Sequence, residues 1–232
     1  MGKLIEDKTL HNKVYVFEDR EEAGDKLSEF LKSIADKNSI VLAIPSGGVP
    51  VGVKIAKKLN IPFDLLLVKK ITYPWNTEAG FGAVSIEGDY VLNEEAVKYS
   101  GLTEDTINSQ KEKTIQILKH RDKTFRNNRP IPHITGKTVI LVDDGLASGY
   151  TMLTAIKMVK RKKPKKIIVA VPTCSKSAID SLLNEVDYIV CLNYRDFYPY
   201  AVADAYRNWY DLSDEDVLYY LKKAEEEDDK IS

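Results

Sequence analysis

Two adjacent carboxylates, Asp143 and Asp144, stand between an apolar run and a stretch of small and hydroxylated residues, Gly145-Leu146-Ala147-Ser148-Gly149-Tyr150-Thr151. Small residues let backbone amides close around an anion, and a helix starting here points its positive end at the same place. The hydroxyls of Ser148 and Thr151 add donors. Carboxylates repel a phosphate, so the acid pair suits a neutral, hydroxyl-rich neighbour or a Mg2+ attached to it. A ribose 5-phosphate meets both requirements. A second constellation, Pro45-Ser46-Gly47-Gly48-Val49-Pro50, follows another apolar run. Gly47 and Gly52 have the spacing of a P-loop, but Val53 stands where that loop needs Lys and no hydroxyl follows in register, which excludes it. Lys69 and Lys70 close a third apolar run and place cations on the edge where open α/β sheets bind ligands.

Holding these groups together requires strand-loop-helix units. Val139 to Val142 reads as a strand buried on both faces, and Met152, Ile156 and Val159 give the following helix one apolar side. Ser39 to Ile44 and Phe63 to Val68 are strands of the same kind, with a helix to about Leu59 between them. Val14 to Phe17 is a short strand candidate, and Asp19 caps a helix running to about Asp36. Thr103 starts a helix to about Arg126 with a thin apolar stripe (Ile107, Ile115, Leu118, Phe125), on which Arg121 and Arg126, with Arg129 just beyond, read as solvated cations. Ile167 to Val171 and Tyr188 to Leu192 flank a helix carrying Ala178, Ile179, Leu182 and Leu183. This alternation predicts one α/β domain over residues 1–232, a central mostly parallel sheet with helices on both faces. Residues 71–92 are expected to hold a long loop (Ile71 to Val84, with Gly80 and Gly82 as flexible points) and a hairpin of Val84 to Ile86 with Tyr90 to Leu92. Residues 193–232 form a C-terminal extension whose aromatic run, Tyr194 to Tyr210, is compatible with core packing, a dimer surface or a wall that stacks a flat heterocycle.

The run from Val139 to Thr151 resembles the signature of the type I phosphoribosyltransferases: an apolar strand, two acids, then a small-residue loop with Ser or Thr and Gly. The resemblance covers thirteen contiguous positions and implies a donor, 5-phosphoribosyl-1-pyrophosphate (PRPP). It implies that Asp143 and Asp144 hold the ribose hydroxyls as the catalytic acids, and that Ala147, Ser148, Gly149, Tyr150 and Thr151 hold the 5-phosphate. Ser46, Gly47 and Gly48 resemble the family's pyrophosphate loop, which commonly carries a non-proline cis peptide, and Lys69 or Lys70 would join it at the leaving group. The 71–92 segment then resembles the mobile lid over PRPP, and Phe197, Tyr198 and Tyr200 become candidates for a hood over the base. Gly145 stands where the family usually has an aliphatic residue, and Ala147 where the hypoxanthine-guanine enzymes carry an acid. Implied, then, is a Mg2+-dependent transfer of ribose 5-phosphate to a nitrogenous base with release of pyrophosphate, by a homodimer. The metal is carried mainly by PRPP and not directly by the protein. The rival is a PRPP-sensing regulatory protein without catalysis.

Composition narrows the partners. Lys plus Arg number 34 against 35 Asp plus Glu, a net charge of -1, so no overall field draws in nucleic acid or membrane. The basic run Lys160 to Lys166 falls at a helix C-terminus, where the macrodipole favours cations, and has no interleaved aromatics to stack bases. His11, His120 and His133 lack metal-ligand spacing. Cys174 and Cys191 are two cysteines outside any C-x-x-C pair and are expected as reduced core thiols in a cytoplasmic protein. No apolar leader opens the sequence, and no apolar run approaches the ~20 residues of a membrane span. The acidic end, Glu225 to Asp229, is expected to be a solvated tail.

Overall fold

The computed structural model describes residues 2–228. In chain order the elements are β1 (Lys3–Ile5), α1 (Arg20–Leu31), β2 (Ser39–Ala43), α2 (Gly48–Leu59), β3 (Phe63–Leu65), β4 (Val68–Tyr73), β5 (Asn76–Ser85), β6 (Tyr90–Leu92), α3 (Glu94–Ser100), α4 (Glu104–Arg126), β7 (Thr138–Val142), α5 (Tyr150–Arg161), β8 (Lys166–Ser175), α6 (Lys176–Leu182), β9 (Tyr188–Arg195), a 3-10 turn at Val202–Ala205 and α7 (Asp214–Asp228). Six strands form one sheet in the order β1-β9-β8-β7-β2-β3, and every neighbouring pair is parallel. Alternate side chains leave opposite faces of a strand. Val41, Ala43, Ile140 and Val142 accordingly pack with α1, α2 and Val217 of α7, while Ile40, Leu42, Val139 and Leu141 pack with α5 and α6. Both faces are covered, as an all-parallel sheet requires.

Caps set the helix starts. The Asp19 side chain accepts the Glu22 amide at 2.8 Å, and the Thr103 hydroxyl accepts the Thr106 amide at 3.2 Å. The first of these helices stops at Leu31, short of Asp36. Val14 to Phe17 is not a strand of the sheet. Phe17 instead makes an isolated bridge to Tyr206, its amide donating to the Ala205 carbonyl at 3.0 Å, so this segment pairs with the far end of the chain. The strand on β9 is β1, three residues whose pattern carries no alternation long enough to read.

Phe63 to Val68 is divided between two sheets. Pairing with β2 ends at Leu65, and the chain then turns into β4, which pairs antiparallel with β5, as β5 does with β6. Ile71 to Val84, expected as a loop, therefore forms two facing strands joined by a turn at Pro74-Trp75, with Gly80 and Gly82 inside β5. Ile71, Phe81, Ala83 and Val84 are fully buried, and their burial holds the ribbon on α4 and α5.

Arg126 is not solvated: it is 3 % exposed. Its guanidinium makes a two-pronged contact with Asp64 at 2.9 and 3.0 Å, and donates to Asp122 at 2.8 Å and to the carbonyls of Arg129 and Pro130 at 2.9 and 3.1 Å. Asn127 takes a left-handed conformation (φ 50°) and folds those carbonyls back over the arginine. Arg121 is paired with Asp214 at 2.9 Å. In the basic run, Lys160 pairs with Glu185, and Arg161 and Lys162 with Glu87.

Cys174 and Cys191, expected as free thiols, are joined in a disulfide with Cα atoms 6.4 Å apart. They lie on the neighbouring strands β8 and β9 and project into one apolar layer, which brings the sulfurs together. Helix α7 runs through the acidic stretch to Asp228, and Asp229 lies outside the described residues. Among the described residues no helix is long and apolar enough to cross a membrane.

Candidate active site

Strands β2 and β7 lie side by side, and from them the chain leaves in opposite directions, to β3 on one side and to β8 and β9 on the other. Ligands of open α/β sheets bind in the crevice at the carboxyl ends of such a strand pair. The register pairs Ala43 with Val142, so Pro45 to Gly48 and Asp143 to Thr151 emerge next to each other. Two of the constellations singled out from the sequence thus converge.

The first loop is held against β7. The Ile44 amide donates to the Val142 carbonyl at 2.9 Å, and the Pro45-Ser46 peptide is cis. A Cβ on Gly48 would stand 2.5 Å from the Val142 carbonyl oxygen, and one on Gly47 would stand 2.0 Å from Oδ2 of Asp144. Only glycine lets this loop pass so close to the acid pair. The start of α2 lies beside it, its Gly48 amide donating to the Ile44 carbonyl at 3.0 Å and its Val49 amide to the Ser46 carbonyl at 3.2 Å.

On the other side the Asp144 amide donates to Oδ1 of Asp143 at 2.9 Å. Burial, and then the like charge of Asp144, push the Asp143 carboxyl well above the usual carboxylate range. Asp144 is also raised by burial, but less, because Arg20 opposes the shift. The Arg20 Nε donates to Oδ2 of Asp144 at 2.9 Å. Tyr206, fully buried, donates its hydroxyl to the Asp144 carbonyl at 2.6 Å.

The loop after the acids is fastened to the end of β8. The Leu146 amide donates to the Thr173 carbonyl at 3.0 Å, the Ser175 amide to the Leu146 carbonyl at 2.9 Å, and the Ser175 hydroxyl to the Ala147 carbonyl at 2.5 Å. Ala147 and Ser148 are exposed, and Gly149, at φ 80°, turns the chain into α5, whose first residues are Tyr150 and Thr151. This is an open anion cradle at a helix start.

The lysines are placed differently from each other. Lys70 donates through Nζ to the Glu78 carbonyl and lies along the hairpin. Lys69 is half-buried, and burial, then the nearby Arg121 and Lys70, lower its pKa. Of the three aromatics considered for a hood, Tyr198 is exposed, Phe197 faces the Arg195 guanidinium, and Tyr200 reaches Thr173 with its hydroxyl at 3.4 Å. Among the described residues no group of three or more His, Cys, Asp and Glu side chains could hold a metal ion.

Tyr206 and Trp209 fall in the aromatic run singled out from the sequence, for which core packing was one of three options, but neither was tied to the acid pair, and Arg20 was not singled out at all. Its partner Asp144 is 124 positions away, which no local pattern encodes.

A family model described as the phosphoribosyl transferase domain matches residues 18–195. TT1426 from Thermus thermophilus, of known crystal structure, is 32 % identical with a TM-score of 0.72, covering 89 % of this chain and 98 % of that one. Two Mycobacterium tuberculosis chains, MT0597 and Rv0571c, which carry the provisional name of phosphoribosyl transferases, are each 33 % identical over 209 residues. The match takes in 90 % of this chain and spans 47 % of the length of those relatives.

Proposed function

The chain belongs to the phosphoribosyl transferase domain family, and from that premise we propose that it transfers ribose 5-phosphate from PRPP to a nitrogenous base. The observation that carries the reading is the convergence at the β2/β7 crevice of an acid pair, a glycine loop and an open helix start. Each part has one task. Ala147 to Thr151 bind the 5-phosphate through amides and hydroxyls. Asp143 and Asp144 accept hydrogen bonds from the ribose hydroxyls and fix the sugar. Ser46 to Gly48 take the pyrophosphate, and Lys69 reaches it in preference to Lys70, whose Nζ is bound to a carbonyl.

In the reaction a ring nitrogen of the base forms a bond to C1 as the bond from C1 to the pyrophosphate oxygen breaks, and the electron pair leaves with pyrophosphate. Positive charge builds on the ribose and negative charge on the leaving group, so positioning and fixed charges carry the catalysis. The site fits a cation brought in by the substrate, which would be carried mainly by PRPP and not held directly by the protein. Bound there, Mg2+ would offset the charge on the leaving group.

The test is pyrophosphate release from Mg2+-PRPP against a panel of purine and pyrimidine bases. Release with one base names the acceptor. Asp144→Asn removes a charge-assisted acceptor and should weaken PRPP binding about tenfold to a hundredfold. Unchanged affinity removes the assignment of Asp144, and PRPP binding without release from any base favours a sensor over an enzyme.

A further inference from the structure

The Arg20 guanidinium is held by a carboxylate, a carbonyl and a group of aromatic rings. It is 6 % exposed, its Nε reaches Asp144 at 2.9 Å, and its Nη1 donates to the Tyr210 carbonyl at 2.9 Å. Its flat face lies 4.0 Å from the centre of the Trp209 ring, with the Tyr206 and Tyr210 rings at 5.8 and 5.9 Å. An arginine so stacked and desolvated is rigid, and its charge is felt strongly by the one carboxylate it touches. That carboxylate, 13 % exposed, is wedged between the guanidinium and Gly47, with Tyr206 holding its backbone from behind.

We propose that Arg20 is a positioning residue for phosphoribosyl transfer: seated on Trp209, it keeps the Asp144 carboxylate charged and fixed for the ribose hydroxyls. The inference rests on the function proposed above. It gives residues 206–210 a task in the donor site, behind the acid pair and not over the base. Arg20 itself touches no reacting atom.

The charged and titratable groups that face Asp144 are few. Arg20 comes from α1, Asp143 from the end of β7, and the Tyr200 and Tyr206 hydroxyls from the C-terminal segment, while on the α2 side Gly47 stands against the carboxylate. Burial raises the pKa of both phenols, so neither changes charge near neutrality. Burial also raises the pKa of Asp144 and Arg20 lowers it. Without Arg20 the Asp144 carboxyl therefore holds its proton to higher pH and presents a donor in place of an acceptor.

The experiment measures PRPP affinity, with Mg2+, between about pH 7 and pH 9, above the second phosphate ionisation and below that of free phenols. The wild type sets the reference profile, to which the raised Asp143 carboxyl contributes. Arg20→Met should bind more weakly than the wild type at the lower end and recover as pH rises, because the carboxyl without its cation holds its proton further up the range. Arg20→Lys should stay close to the wild-type profile, because it keeps the charge. A loss in Arg20→Met that is equal at all pH values, or no loss, overturns the proposal. Should Arg20→Met fail to fold, Trp209→Leu, which keeps the charge but removes its seat, should give a smaller loss of the same pH dependence. A flat loss there also overturns it. A carboxyl-carbon NMR titration of Asp144 without PRPP, assigned with Asp144→Asn, separates this inference from the function. An upward move of Asp144 in Arg20→Met or Trp209→Leu supports the positioning role even if PRPP is not the ligand, and an unmoved Asp144 refutes it even if PRPP is.

Discussion

Gly47→Ala tests the closest contact in the site. The backbone there (φ -61°, ψ -34°) suits alanine as well as glycine, so the substitution adds only a methyl group. That methyl would stand 2.0 Å from Oδ2 of Asp144, 2.3 Å from Cγ and 2.7 Å from Oδ1. Carbon needs about 3.5 Å, so the carboxylate has to retreat by more than about 1 Å. It cannot do so freely, because its Oδ2 is bound to Arg20 at 2.9 Å and its own carbonyl to Tyr206 at 2.6 Å. Crowding of this kind destabilises by about 1–3 kcal/mol. Displacement of a substrate-positioning group by about 1 Å costs on the order of a hundredfold in rate. The decisive assay is a double-mutant cycle by urea unfolding with Gly47→Ala, Asp144→Ala and the pair. Once Asp144 is shortened, the three atoms nearest that methyl are gone, and alanine at position 47 should stabilise by about 0.4–1 kcal/mol through the unfolded chain. The change of sign, a coupling of about 1.4–4 kcal/mol, marks a direct contact. An equal cost of Gly47→Ala in both backgrounds refutes the geometry.

Arg126→Met strips Asp64 and Asp122 of a buried partner and should cost about 3–5 kcal/mol, read from the urea midpoint; a loss below about 1 kcal/mol would show the cluster is not sealed. The Asp143 carboxyl is raised in the folded state, so its stabilising contribution is complete below its unfolded value and fades as pH climbs through the raised one. Asp143→Asn should accordingly flatten the fall of the unfolding midpoint above about pH 4, and an unaltered slope counts against the assignment. The Cys174–Cys191 bridge, closing a loop with a sequence separation of 17, should contribute about 3 kcal/mol in the chain-entropy model. Protein denatured without reductant should show no reactive thiol, and two titratable thiols would remove the bridge.

The acid pair, both glycine loops and the parallel core were legible because each is a local event: an apolar run, a breaker and a helix start within a dozen residues. Ser39–Ala43 and Thr138–Val142 are buried throughout and have no exposed face to confuse the period. The β4–β5 hairpin was not legible, since its outer half is exposed and Gly80 and Gly82, on either side of the point where burial begins, read as loop. Arg126 misled for the opposite reason. A helix-end arginine looks solvated until the turn at Asn127 brings carbonyls over it, and its carboxylate partner Asp64 lies 62 residues earlier.

The C-terminal segment shows why an acid pair alone does not make a site. Residues 206–210 lie beyond the matched family domain, which ends at 195, yet Tyr206 bonds the backbone of Asp144 and Trp209 seats the arginine that bonds its side chain. Phe17 and Tyr206, both buried in the same layer as Val142 and Leu192, tie this segment to the sheet itself. A buried carboxylate left without its cation is costly, and it escapes the cost by taking up a proton. In the donor site proposed above, the charge on Asp144 would therefore depend on residues far along the chain from the motif that displays it: Arg20 upstream and Trp209, with its neighbours, downstream.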